Sequence, residues 1–142
     1  MDIQELLARE EIKHVLYTYA RGVDRADLET LQSVYHPDGT DDHGAFNGLG
    51  TDFAKRLITN EEGLAAVGQH HMTNVYMEFV DADNARVESY FLAFHPHSDS
   101  GEGKLGIAAG RYLDHFQRRD GAWKILRRRV LMDWTREHVD GP

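Results

Sequence analysis

The apolar positions of this chain fall into two regimes that meet near residue 68. In the first, Ile12, Val15, Leu16, Tyr19 and Val23 recur at offsets of three, four, seven and eleven, which is one face of an α-helix; Arg9, Glu10, Lys13 and His14 fall off it. Gly22 reads as the stop of that helix, with Asp24 just beyond it. Asp27 can cap a short second helix burying Leu28, Leu31 and Val34 or Tyr35, and His36-Pro37-Asp38-Gly39 reads as the turn that ends it. Residues 40–48 read as a short strand and a loop around Phe46. Thr51 can then cap a third helix with Phe53, Leu57 and Ile58 on its apolar stripe, ending within 60–63.

In the second regime the period drops to two. Four strand patterns follow, at 70–80, 85–97, 104–117 and 122–134, separated by Asp81-Ala82-Asp83-Asn84, by 98–103 and by Arg119-Asp120-Gly121. The Asp-Gly step in the last separator predicts a tight hairpin. Helices first and a strand meander afterwards describe an α+β domain over residues 1–142, in which a curved antiparallel sheet forms a cone covered on one face by the N-terminal helices. A pocket is expected between the two layers.

Alternation places His70, Met72, Asn74 and Tyr76 on one face and His71 on the other, so only one of the adjacent histidines can face that pocket. The neighbouring strands offer, at compatible parity, Phe91, Ala93, His95 and His97, then Ala108, Gly110 and Tyr112, then Arg128, Val130, Met132 and Trp134. Small side chains at Ala93, Ala108 and Gly110 among larger ones predict a hollow for an apolar ligand. The opposite face collects Trp123, Ile125, Arg127, Arg129 and Leu131, and an apolar outer face of that kind predicts a homo-oligomer, dimer or trimer.

Composition narrows the chemistry. A formal charge of −8 argues against a nucleic-acid partner, whose affinity comes from clustered Lys and Arg. No apolar run approaches membrane-spanning length, so no membrane partner is expected. The absence of cysteine removes disulfides, thiolate zinc sites and a cysteine nucleophile together. With no secretory pattern at the start, a cytoplasmic location follows as the expectation. His95-Pro96-His97 is the one metal-like feature, and without a third ligand at matching spacing no metal is expected.

An imidazole with an ordinary pKa of about 6.5 is a competent base near neutrality, and a carboxylate on its other nitrogen would fix its tautomer. Arg128 lies between Leu126 and Val130 on the inward parity, and a charge among apolar neighbours needs a partner. That partner is either a developing anion in the pocket or a structural carboxylate, Asp24 or Glu78. Tyr19 could hydrogen-bond a substrate oxygen or serve as a core tyrosine.

The Tyr19-x4-Asp24 spacing, His70-His71-Met72-Thr73-Asn74, Gly110-Arg111-Tyr112-Leu113-Asp114 and the run from Arg118-Arg119-Asp120-Gly121-Ala122-Trp123 to Arg128 together resemble the SnoaL-like branch of the nuclear transport factor 2-like superfamily. Within that branch the pattern is most similar to the cofactor-free lyases of the hexachlorocyclohexane dehydrochlorinase, scytalone dehydratase and bile acid 7α-dehydratase types. The resemblance implies a base at His70, an orienting acid at Asp24, an arginine at Arg128 that assists the leaving group, and a tyrosine at Tyr19. It further implies a hydrophobic cyclic or aromatic substrate and no cofactor. Met72, Asn74, Phe91, Ala93, His97, Ala108, Gly110, Tyr112, Met132 and Trp134 are the expected substrate-binding residues. A proton shuttle of the isomerase or polyketide-cyclase type, or a ligand-binding domain without catalysis, are the alternatives in the same pocket.

Overall fold

The computed structural model describes residues 1–59, 68–96 and 104–139. His97, the expected helix end at 60–63 and the separator at 98–103 lie outside the described residues. Elements run α1 (Ile3–Asp24), α2 (Leu28–Ser33), β1 (Tyr35–Asp42), β2 (Asn47–Leu49), α3 (Gly50–Thr59), β3 (Gln69–Phe79), β4 (Asn84–Pro96), β5 (Lys104–Arg119) and β6 (Ala122–Val139).

Helix α1 begins at Asp2, whose carboxylate accepts the Glu5 N–H at 2.8 Å, and buries Ile12, Leu16, Tyr19 and Val23. It does not stop at Gly22. A Cβ there would lie 2.9 Å from the backbone of Leu31, so the glycine lets α2 approach while the helix runs on to Asp24. The stop falls at Ala26, which takes φ +52°, with the Asp27 N–H bonding back to the Gly22 carbonyl at 2.9 Å. Asp24 therefore belongs to the last helical turn.

The strands form one unclosed sheet in the order β2-β1-β6-β5-β4-β3. The meander β3 to β6 is antiparallel as expected. Asp120 and Gly121 both take positive φ, +51° and +78°, which is the backbone a two-residue hairpin needs. Where one short strand and a loop were expected at 40–48, there are two strands, β1 and β2. The His36-Pro37-Asp38-Gly39 segment is not a turn but part of β1, which runs parallel to β6 and absorbs the proline and glycine as a register shift between Tyr35 and Thr40.

Bulges decide which residues face inward. A shift between Met72 and Val75 turns β3 over, so His70 and Met72 lie on the inner side, Met77 is buried further along, and Tyr76 is 65% exposed. Asn74 is exposed too, which corrects its expected place in the pocket. A second shift between His115 and Phe116 does the same to β6: Trp123 and Ile125 are core residues, and Arg128 is again inside. The outer apolar face expected from Trp123 and Ile125 is thus largely absent. The core joins the α1 stripe to Leu31, Val87, Phe91, Tyr112 and Phe116 on the sheet.

Candidate active site

The last turn of α1 hangs Asp24 over the start of β3. Its Oδ1 lies 2.7 Å from Nδ1 of His70, and its Oδ2 accepts the backbone N–H of the same residue at 2.9 Å. Both carboxylate oxygens are thus spent on one residue, which holds the imidazole in one orientation and assigns Nδ1 to the carboxylate. The side chains keep 10% and 13% exposure. A groove of about 290 Å³ runs beside the pair, lined in part by Ala20, Arg21, Asp24, His70 and Met72. The His70 ring stands 6.5 Å from that of Phe91 and 5.6 Å, edge on, from that of His95.

Arg128 enters from β6 and is wholly buried. Its expected structural partners, Asp24 or Glu78, give way to Asp114 of the neighbouring strand: Nε and Nη2 each donate to one Asp114 oxygen at 2.8 Å. Strand register explains the choice, because Asp41, Arg128 and Asp114 are lateral partners on β1, β6 and β5 and form one inward row of charges. Tyr19 and Tyr112 both pack on the guanidinium, at 4.3 and 3.9 Å from ring centroid to Cζ. Nη1 of Arg128 and Oγ of Ser89 are buried without a hydrogen-bond partner among the described residues.

Burial dominates the electrostatics of this wall. It pushes the Asp114 carboxyl above its ordinary range while Arg128 pulls it back, and it pushes the Tyr112 hydroxyl up to about 12 against the same cation. Burial also holds Tyr19 and Tyr35 well above the ordinary tyrosine range, aided for Tyr35 by Asp41. All three phenols are donors at neutral pH.

Sequence reasoning missed a second histidine and carboxylate pair. Asp41, fully buried, accepts the Tyr35 hydroxyl with Oδ2, and its Oδ1 bonds Nδ1 of His43. The His43 ring stacks on Phe53 of α3, with centroids 4.1 Å apart and planes 16° from parallel, and lies 6.3 Å from Tyr112. The available signal was an acid and a histidine two positions apart, Asp41 and His43, which a strand turns to the same side.

The remaining expected residues divide. Phe91, Ala93 and Tyr112 are buried on the inner face, and Met72 and Ala108 are half-buried there. Gly110 does not open a hollow, because a Cβ would meet the Leu131 carbonyl at 2.5 Å and the Phe91 ring at 2.7 Å. Met132 and Trp134 are 54% and 45% exposed and so do not line the buried wall; Trp134 lies beyond a register shift opposite Ala109 and Gly110. Among the described residues no group of three or more His, Asp or Glu side chains is placed to hold a metal, and no helix is long and apolar enough to cross a membrane.

The SnoaL-like domain model matches residues 4–129. No curated protein matches the chain. Among solved structures, a scytalone dehydratase-like protein of Novosphingobium aromaticivorans superposes with a TM-score of 0.84 at 27% identity, covering 99% of this chain and 94% of that one. A type 2 hexachlorocyclohexane dehydrochlorinase gives 0.86 at 23% identity, covering 98% and 94%. The type 3 enzyme of Novosphingobium barchaimii gives 0.84 at 23%, covering all of both chains.

Proposed function

Because this chain belongs to the SnoaL-like domain family of the nuclear transport factor 2-like superfamily, whose solved neighbours include dehydrochlorinase and dehydratase-like proteins, we propose that it is a cofactor-independent lyase acting on a hydrophobic cyclic or aromatic small molecule. The observation that carries this reading is the 2.7 Å contact between Asp24 and His70. With Nδ1 committed to the carboxylate, Nε2 takes a carbon-bound proton from the substrate, and Asp24 stabilises the imidazolium that forms. The electron pair of the broken C–H bond becomes the new double bond as a β leaving group departs.

Arg128 supports the anion that develops. Its Nε and Nη2 are held by Asp114, so the guanidinium needs no reorganisation, and its unpartnered Nη1 is a preorganised donor in a dry wall. Tyr19, packed on that guanidinium and protonated at neutral pH, is a second donor. Phe91, Tyr112 and Met72 give the apolar contact that favours a ring-shaped substrate.

The test offers cyclic β-hydroxy and β-halo ketones to the protein and to Asp24→Asn. Elimination yields an alkene lighter by water or acid, whereas an isomerase conserves mass. Asp24→Asn should keep its fold and lose about 10³–10⁴-fold in kcat, as a misassigned tautomer does in the serine-protease triad. Full turnover by the variant would remove the pair from the mechanism.

A further inference from the structure

Proton removal by His70 is only half of an elimination, and a departing group that is not a stable anion needs a proton of its own. A halide leaves as a stable anion and needs no proton, whereas a hydroxyl on a saturated carbon leaves readily only as water. The described interior contains a second imidazole whose Nδ1 is held by a carboxylate, on a different wall from the first.

His43 follows β1, near one edge of the sheet, and His70 is on β3 at the other edge. Between them lie two aromatic side chains in contact: His43 is 6.3 Å from Tyr112, Tyr112 is 4.6 Å from Phe91, and Phe91 is 6.5 Å from His70. A row of aromatic rings therefore joins the two imidazoles across the inner side of the sheet. His43 is built in as firmly as His70. Asp41 is fully buried, its second oxygen is taken by the Tyr35 hydroxyl, and Phe53 stacks flat on the ring. The His43 side chain nevertheless keeps 24% exposure, so the ring can exchange protons with solvent.

We propose that His43, oriented by Asp41 and Tyr35, is the proton donor to a hydroxyl leaving group, which makes the substrate a β-hydroxy compound and the reaction a dehydration. This rests on the elimination reading above. The step balances without a further reactant. His70 takes H⁺ from the α carbon, the C–H pair forms the C=C bond, the C–O bond breaks, and the leaving oxygen takes H⁺ from Nε2 of the His43 imidazolium to depart as water. His43 ends neutral with Nδ1–H on Asp41, His70 ends as the imidazolium, and each resets through solvent.

The experiment compares His43→Gln, His70→Gln and the unaltered chain on a cyclic β-hydroxy ketone and its β-chloro analogue, with circular dichroism to establish that each variant is folded. His43→Gln should lose about a hundredfold in kcat on the hydroxy compound and at least tenfold less on the chloro compound, because only the first needs the acid. His70→Gln should lose the same factor on both. Equal losses for His43→Gln on the two compounds, or none on the hydroxy compound, would overturn the proposal and leave the elimination reading standing. Failure of the unaltered chain to turn over either compound, or full activity in His70→Gln, would overturn both.

Discussion

Two contacts between a basic side chain and a carboxylate, of nearly equal length, lie on the inner side of the sheet, and they differ in burial and surroundings. Arg128 and Asp114 meet through a pair of 2.8 Å bonds with neither side chain exposed, and two tyrosines pack on the guanidinium. Asp24 and His70 meet at 2.7 Å beside an open groove, and each keeps some contact with solvent. A dry pair has no route for protons in or out, so it serves as a fixed set of charges. A partly wet pair can be protonated and deprotonated within a cycle. The contrast teaches that burial, more than bond length, separates a scaffold from a reactive group.

Breaking the dry pair should produce the largest effect on stability. Arg128→Met leaves the Asp114 carboxylate buried alone, and loss of about 3–5 kcal/mol is expected from urea unfolding at pH 7. The pH dependence carries a definite sign. Burial already raises the folded-state pKa of Asp114, and removing Arg128 removes the group that pulls it down. The folded variant then binds a proton that the unfolded chain releases, so part of the lost stability should return as pH falls towards the ordinary carboxylate range. A loss under 1 kcal/mol, or one independent of pH, would show that the pair is not the anchor of this wall.

The alkaline limb is the next handle. Burial pushes the Tyr112 hydroxyl up to about 12 in the folded chain, against about 10 unfolded. Between those values the unfolded chain loses its proton first, so the stability present below pH 10 is lost as pH rises through 12. The loss amounts to about 3 kcal/mol by the top of the range, and Tyr19 and Tyr35 act in the same direction. Tyr112→Phe should flatten the decline in urea midpoint between pH 9.5 and 11.5. An unchanged slope would mean that another group carries the alkaline transition.

How much of this was legible follows the same division. The order of the helices, the meander β3 to β6 and its Asp-Gly hairpin were readable because each rests on local periodicity or turn chemistry. The Asp24 and His70 pair was readable through a resemblance that spans both residues. What failed was parity. One extra residue in a strand reverses every side chain after it, and nothing in the spacing of Met72 to Val75 or of the residues opposite His115 announces the bulge. Asn74, Trp123 and Ile125 were misplaced for that reason alone. Asp114 shares the two-residue alternation of Gly110 and Tyr112 and could have been paired with Arg128 on that ground. The first half of β1 was hidden because Pro37 and Gly39 read as a turn when considered locally, and Asp41 and His43, within the short strand and loop expected at 40–48, were not read as a pair.

The smallest expected effect tests whether the two pairs are independent. Gly22 lies two residues before Asp24 and directly against α2, so Gly22→Ala forces a Cβ to within 2.9 Å of the Leu31 backbone unless the helices part. Overpacking of that kind costs about 1–3 kcal/mol, which urea unfolding at neutral pH would register. The displacement is local to the end of α1, so the ring resonances of His70 should shift in a nuclear magnetic resonance spectrum while the alkaline decline keeps its slope, since Arg128, Asp114 and Tyr112 are untouched. If the slope changed as well, the dry and the wet pair would be one cooperative unit, and the separation of scaffold from reactive group would have to be drawn elsewhere in the molecule.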